Sequence, residues 1–276
     1  MTNRQRFGKK VKIEGIITFE TAFHIGSGKE GELSTHMGVL IDPDGRPILP
    51  GSTLKGSFRA SSERLSSYLG LTACLLDDSL SEIPCFTGIS DPQVRKTKYE
   101  AFKTLRTEAK KLVWIRNETC DICRLFGSPL QASRIFFSDG KLADWDAALQ
   151  IRDGVCIDRD AGTARHGAKY DFEVVPPGAQ FAITIDLENP EESELALVGA
   201  VLTEWQQGFR LGGFTSRGLG RARLGGTSIQ QVNFDDTTQL KSYLLRREMQ
   251  PADSLLSESL EEVLTKQGGD NAEKIN

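Results

Sequence analysis

The sequence predicts an α+β domain: an antiparallel sheet with helices packed on one face. Three observations carry that expectation. Residues 9–20 and 181–187 alternate apolar and polar with period two, residues 53–69 and 191–206 repeat apolar positions at helical spacing, and glycine-rich turns punctuate the order.

Taken in order, residues 9–20 place Val11, Ile13, Gly15, Ile17 and Phe19 on one side, as a half-buried first strand of the core sheet requires. The glycine-studded loop His24-Ile-Gly-Ser-Gly-Lys-Glu-Gly31 follows, then a short apolar run, Gly38-Val-Leu-Ile41, and the turn signal Asp42-Pro-Asp-Gly45. A helix is expected from about Thr53, with Ser52 or Thr53 as cap and Leu54, Phe58, Leu65 and Leu69 as its apolar side. Residues 71–94 read as irregular, 95–112 as a basic helix and 133–138 as a strand. Residues 154–177 turn polar and charged, as a protruding hairpin or loop would. The strand at 181–187, the helix at 191–206 (Leu195, Val198, Leu202, Trp205) and the glycine-rich turn at 212–220 complete the pattern. The order of these units is that of a ferredoxin-like domain. Leu255, Leu256, Leu260, Val263 and Leu264 form an amphipathic segment, and the polar residues 267–276 read as a disordered tail.

The chain has 276 residues, enough for one elaborated domain or two small ones, and 38% of them are apolar. No stretch approaches the roughly 18 consecutive apolar residues of a membrane span. The basic N-terminal residues have no apolar segment behind them, so cytoplasmic residence is expected. Five cysteines, an odd number, read as reduced thiols or metal ligands rather than a disulfide framework. The net charge is −4, but residues 228–276 hold five basic and nine acidic side chains, which leaves the preceding body neutral. Within that body, residues 94–116 carry eight basic and two acidic residues. Residues 209–223 carry Arg210, Arg217, Arg221 and Arg223 with no acid. Such local surplus can neutralise phosphates, or can be a solvated basic face.

Gly26-Ser-Gly-Lys29 lacks the spacing of a nucleotide phosphate loop, and Gly213-Phe-Thr-Ser-Arg-Gly-Leu-Gly220 fails as a dinucleotide fingerprint. The latter reads as a turn, or as backbone amides that, with Arg217 and Arg221 beside them, hold phosphate oxygens. Cys120-Asp-Ile-Cys123 has the spacer that lets two thiolates reach one Zn²⁺, and Cys74 and Cys85 would complete a closed tetrahedral site; the alternative is small buried apolar residues. A thioredoxin-like pair is disfavoured because the motif does not open a helix after a strand. His24 and His36 flank the first glycine loop, where an imidazole could reach a phosphodiester as acid, base or donor; a hydrogen-bonded structural histidine is the alternative. Glu30, Glu32 and Asp42 add carboxylates that could hold a hard divalent cation.

Three segments together, His24-Ile-Gly-Ser-Gly28, Pro50-Gly-Ser-Thr-Leu-Lys-Gly56 with Arg59, and Gly212-Gly-Phe-Thr-Ser-Arg-Gly-Leu-Gly-Arg221, resemble the RAMP superfamily of CRISPR-associated proteins. The resemblance spans about residues 8–226, with 228–266 as a C-terminal helical extension. Cys120-Asp-Ile-Cys-Arg-Leu-Phe-Gly127 with Ser133-Arg134, and Asp158-Arg-Asp-Ala-Gly-Thr-Ala164 leading to Asp171-Phe-Glu-Val-Val175, look like the backbone subunit of type III effector complexes. That resemblance implies an RNA-recognition-like core with two insertions: a zinc-knuckle and basic lid at about 71–130, and a thumb hairpin at 150–175 that wedges into a guide–target duplex. It implies partners too: CRISPR guide RNA, target RNA, further RAMP proteins and the large signalling subunit of the complex. The residues it assigns to RNA are His24, Gly26, Ser27 and Gly28 in the first loop, Ser52, Lys55 and Arg59 at the first helix, and Arg134. Arg159 and Thr163 in the thumb join them, with Arg217, Gly218 and Arg221 in the last loop. Active members use a first-loop aspartate for metal-dependent cutting of target RNA, and the matching position here is His36. A neutral imidazole binds Mg²⁺ poorly but could act as a base, so the expectation is a subunit that binds and cuts weakly or not at all. Two alternatives are a stand-alone RAMP endoribonuclease that processes guide RNA with His24 or His36 as base, and a zinc-stabilised interaction module.

Overall fold

A computed structural model describes residues 7–29, 36–74 and 85–273. Strand β1 (Lys9–Phe19) lies at the centre of the main sheet, pairing antiparallel with β6 (Gln180–Glu188) on one side and β8 (Arg221–Asn233) on the other. Strands β2 (Ile135–Phe137) and β3 (Lys141–Asp144) both pair with β6, and β7 (Phe209–Arg210) and β9 (Gln250–Pro251) pair with β8. Helix α1 (Gly51–Leu65) follows β1 in the chain, and α5 (Glu192–Gln207) joins β6 to β8. The units β1, α1, β2, β6, α5 and β8, with β2-β6-β1-β8 across the sheet, have the split βαβ–βαβ arrangement of the ferredoxin-like fold.

The alternation read in the sequence is the alternation in burial: every second residue of β1 and β6 faces the core, including Val11, Ile13, Ile17, Phe19, Phe181, Ile183, Ile185 and Leu187. Helices α1 and α5 close this face. Trp205 of α5 is fully buried, stacked on Phe209 at 4.0 Å and edge-on to Phe58 of α1 at 5.2 Å.

Several boundaries differ from those expected. Helix α1 starts at Gly51, and neither Ser52 nor Thr53 caps it; Asp139, from the β2–β3 turn, accepts the Gly51 amide at 2.7 Å instead. The run Gly38-Val-Leu-Ile41 makes isolated bridges, such as Gly26 with Val39 and Ile41 with Pro47, and no strand of its own. The single basic helix is two, α2 (Pro92–Thr104) and α3 (Glu108–Glu118). Leu105 is extended and Thr107 caps the second through the Lys110 amide. Strand β8 runs to Asn233 with Ile229 and Val232 buried, so core sheet continues past residue 226. Beyond it lie α6 (Thr237–Arg246) and α7 (Leu255–Glu273). Helix α7 packs on α5 and continues seven residues into the stretch read as a tail.

Strands β4 (Gln150–Ile157) and β5 (Ala164–Val174) form a separate two-stranded hairpin. Nearly all of β4 is exposed, including Ile151, Val155 and Ile157 on one side of the strand. The Asp158 carboxylate closes its tip by accepting the amides of Asp160 at 2.9 Å and Ala161 at 3.0 Å. This is the protruding hairpin expected at 154–177, with its strands extending four residues earlier.

Candidate nucleic-acid interface and cysteine cluster

The short helix α4 (Asp121–Phe126) brings the cysteines together. Cys120 is its N-cap and accepts the Cys123 amide through Sγ at 3.4 Å, while Cys85 Sγ accepts the Cys120 amide at 3.4 Å. The CxxC pair therefore opens a helix, contrary to expectation, though it follows the helix α3 rather than a strand. Asp121 takes the Thr72 amide at 2.7 Å and hydroxyl at 2.5 Å, which holds the loop carrying Cys74 against α4. The four sulfurs of Cys74, Cys85, Cys120 and Cys123, all buried, lie within 4.8 Å of one another, and Cys74 and Cys123 are 3.6 Å apart. Zn–S bonds of about 2.3 Å at tetrahedral angles put sulfurs about 3.8 Å apart, so the cluster has the size and the soft donors of a closed structural metal site.

Protons are unevenly held among the four thiols. Hydrogen bonding to Cys120 pushes the Cys74 thiol up and pulls Cys85 and Cys123 down, the last to about 7. Cys120 is itself pushed up by its bond to Cys123. Arg59 of α1 donates to Cys123 Sγ at 3.4 Å and to Glu63 at 2.8 Å. Expected at RNA, its guanidinium instead lies against the cysteines, where a cation offsets the negative charge of thiolates.

A second assembly forms where β5 meets the main sheet. Glu173, buried in β5, organises it: its backbone carbonyl pairs with His24 Nδ1 at 2.7 Å, its carboxylate accepts the Val39 amide at 3.1 Å, and its amide donates to the Met37 carbonyl at 3.0 Å. The Gly213 amide donates to the His24 carbonyl at 2.7 Å and the Gly220 amide to the Ala22 carbonyl at 2.8 Å. Two glycines are obligatory in this turn. A Cβ on Gly220 (φ +73°) would lie 2.0 Å from the Leu211 carbonyl oxygen, and one on Gly212 (φ +91°) 2.5 Å from that of His24. Between them Phe214 takes a left-handed conformation (φ +58°), a strain of about 1–3 kcal/mol for a bulky residue, and it is held by stacking on Phe172 at 4.4 Å. Tyr170 continues the stack, and its hydroxyl pairs with Arg217 Nη1 at 2.5 Å.

On the other side of β5, Asp171 receives His36: Oδ1 accepts both the His36 amide at 2.9 Å and the ring Nδ1 at 2.6 Å. Those bonds, the amide first, hold the Asp171 carboxyl below its usual range. Asp171 carried no functional assignment in the sequence; 135 residues separate the partners, and no local pattern joins them.

The junction thus unites His24, Gly26, Ser27, Gly28, His36, Arg217, Gly218 and Arg221. His24 is buried and holds strands together, so its ring is not at the surface where RNA contact was expected. Ser27 donates to the Gly38 carbonyl at 3.3 Å, and Arg221 pairs with Glu20 at 2.8 Å. Gly28, Arg217 and Gly218 are exposed, as are Arg159 and Thr163 at the hairpin tip and Ser52 at the start of α1. Lys55 lies apart from the junction, with its ammonium 3.0 Å from Ser133 Oγ; burial, with Arg59 beside it, pulls its pKa down. Arg134 is also elsewhere, in a largely buried ion pair with Glu194 and bonded to the Asn189 carbonyl at 2.8 Å. It ties β2 to α5. Asp42 accepts the amides of Asp44 and Arg46, both at 2.9 Å, and so closes a turn rather than presenting a metal ligand. Glu30 and Glu32 lie outside the described residues.

The RAMP superfamily profile matches residues 16–223, three quarters of the chain, and includes both assemblies. The chain belongs to the RAMP superfamily. It is also 28% identical over 229 residues, covering 78% of this chain and 78% of that protein, to the CRISPR system Cms endoribonuclease Csm3 of Methanocaldococcus jannaschii.

Proposed function

We propose that this chain is an RNA-binding backbone subunit of a type III CRISPR effector complex, stacking in copies along a guide RNA and positioning target RNA. The observation that carries the reading is the hairpin β4–β5 standing off the sheet with its root bonded to the turn that exposes Arg217 and Gly218. An exposed cation beside open backbone amides takes phosphate oxygens, and a protruding strand with bare Ile151, Val155 and Ile157 offers apolar surface to an unstacked base. Ser27, Gly28 and Arg221 serve the backbone at the same junction; Ser52 and Lys55 serve it at α1, and Arg159 and Thr163 at the tip. The likeness to Csm3 supports the type III assignment, with target RNA, further RAMP subunits and the large signalling subunit as partners. The place of action is the cytoplasm; among the described residues no helix is long and apolar enough to cross a membrane.

The four cysteines hold one structural Zn²⁺, which supplies folding energy to the lid rather than chemistry. Magnesium-dependent cutting is weak at this subunit, because the position of the family aspartate is His36 and an imidazole is a poor Mg²⁺ ligand. Purification of the tagged chain from its host in mild salt, followed by sequencing of bound RNA, is the test. Discrete guide-length RNAs with spacer sequence and co-purifying subunits are expected; protein free of RNA overturns the reading. Substituting His36→Asp should raise magnesium-dependent target cleavage, and robust magnesium-dependent cutting by the unaltered subunit would show the assignment of His36 to be wrong.

A further inference from the structure

We infer that Arg59, held in place by Glu63, sets how tightly the cysteine cluster keeps its metal, by bonding the Cys123 sulfur and offsetting part of the charge of the bound thiolates. This rests on the zinc reading above and adds to it two residues that are not ligands. The physical basis is the charge of the centre. Four thiolates around one Zn²⁺ leave a net double negative charge, and the cysteines that would carry it are at most 7% exposed. Buried charge of that kind is costly unless hydrogen bonds and a cation offset it. Donors are spread over the cluster accordingly. The Cys120 amide donates to Cys85 Sγ and the Cys123 amide to Cys120 Sγ, both at 3.4 Å, so the backbone that opens α4 serves two sulfurs. Cys123 Sγ is served by a side chain instead: Arg59 Nη2 reaches it from α1, also at 3.4 Å. A backbone amide brings no net charge, and Arg59 is the one cation bonded to a cysteine sulfur among the described residues.

Glu63 keeps the guanidinium there. One turn further along α1, its Oε1 accepts Arg59 Nε at 2.8 Å while Nη2 turns to the sulfur, so the planar fork is fixed at two of its nitrogens. Only 27% of the Arg59 side chain is exposed. Phe58, the preceding residue, meets Phe126 at the end of α4 with ring centroids 6.4 Å apart, which holds the two helices in contact on either side of the guanidinium. A carboxylate and a sulfur thus engage this side chain, and both lie in the protein. Partners that orient or polarise a metal ligand without touching the metal commonly change its affinity by one to two orders of magnitude, about 10–100-fold.

The full chain, loaded with Zn²⁺, is to be titrated with a chromophoric chelator, and the same chain loaded with Co²⁺ read by absorption. Arg59→Ala should weaken zinc binding about 10–100-fold, with Arg59→Lys in between and Glu63→Gln moving the same way by a smaller factor. The sulfur-to-cobalt charge-transfer band should shift to lower energy in Arg59→Ala, because a thiolate lone pair that has lost its donor lies higher. A residue that only packed α1 on α4 would leave that band in place. RNA affinity is expected to be unchanged. If Arg59→Ala fails to fold, Arg59→Lys and Glu63→Gln carry the same comparison. Zinc affinity and cobalt band both unchanged overturn the inference and leave the zinc reading standing, and a loss of RNA affinity with metal binding intact does so too, returning Arg59 to RNA. An unaltered chain that takes up neither metal overturns both readings.

Discussion

Arg134 and Glu194 show what a single pair does in this chain. Glu194 is 4% exposed and burial pushes its carboxyl up, with the Arg134 charge working against that rise. Replacing Arg134 with alanine leaves a buried carboxylate without its cation, a change expected to cost about 3–5 kcal/mol in chemical denaturation. The sign of its pH dependence follows. With the partner gone the folded-state pKa rises further above the unfolded value of about 4.3, so the variant's deficit is largest at neutral pH and shrinks as the solution is acidified towards that value. At Asp171 the shift is opposite. Its depressed carboxyl contributes to docking of the His36 backbone above the ordinary Asp pKa of about 3.9, and that contribution is lost as pH falls through the folded value. Protection of the His36 amide against exchange, relative to the intrinsic rate at each pH, should fall below about pH 4 in the unaltered protein and show no such pH dependence in Asp171→Asn.

At the level of elements, the cap on α1 is long-range. Asp139→Ala should cost about 0.5–2 kcal/mol, as loss of an N-cap does, although Asp139 is 88 residues from Gly51 in the chain. Zinc supplies a second prediction: the purified chain should contain about one zinc per molecule by elemental analysis. Cys123→Ser should lose that zinc and lower the melting temperature. These two elements also show what a sequence can disclose. The strands β1 and β6 were legible because alternation is local, and the cysteine set was legible because CxxC spacing is a statement about one metal. The cap by Asp139, the pairing of Arg134 with Glu194 and the embrace of His36 by Asp171 were not, since each joins residues 60–135 positions apart and leaves no period behind. The contact of Arg59 with Cys123 was not legible for a related reason: a basic side chain on an exposed-looking helix turn reads alike whether it faces phosphate or thiolate.

For the whole molecule, the hairpin and the core are separable. Main-sheet strands carry the buried side chains, whereas β4 is almost wholly exposed, so replacing residues 152–169 with a short glycine linker should leave the melting temperature within a few degrees. The same variant should bind guide RNA and lose ordered engagement of target, read by footprinting. Single-site phosphate contacts should show in salt dependence: Arg217→Ala is expected to reduce the slope of log affinity against log salt by about 0.7, the single-strand value for one contact.

The central position of β1 has a kinetic consequence. Its two neighbours, β6 and β8, lie some 160 and 200 residues later in the chain, so the first strand to be synthesised stays unpaired on both edges until nearly the whole body has been made. At translation rates of about 5–20 residues per second, that interval is roughly 10–40 s. The junction of His24, His36, Asp171 and Arg217 cannot close before residue 220 has been made and its amide has bonded to the Ala22 carbonyl, so it is among the last parts of the body to assemble.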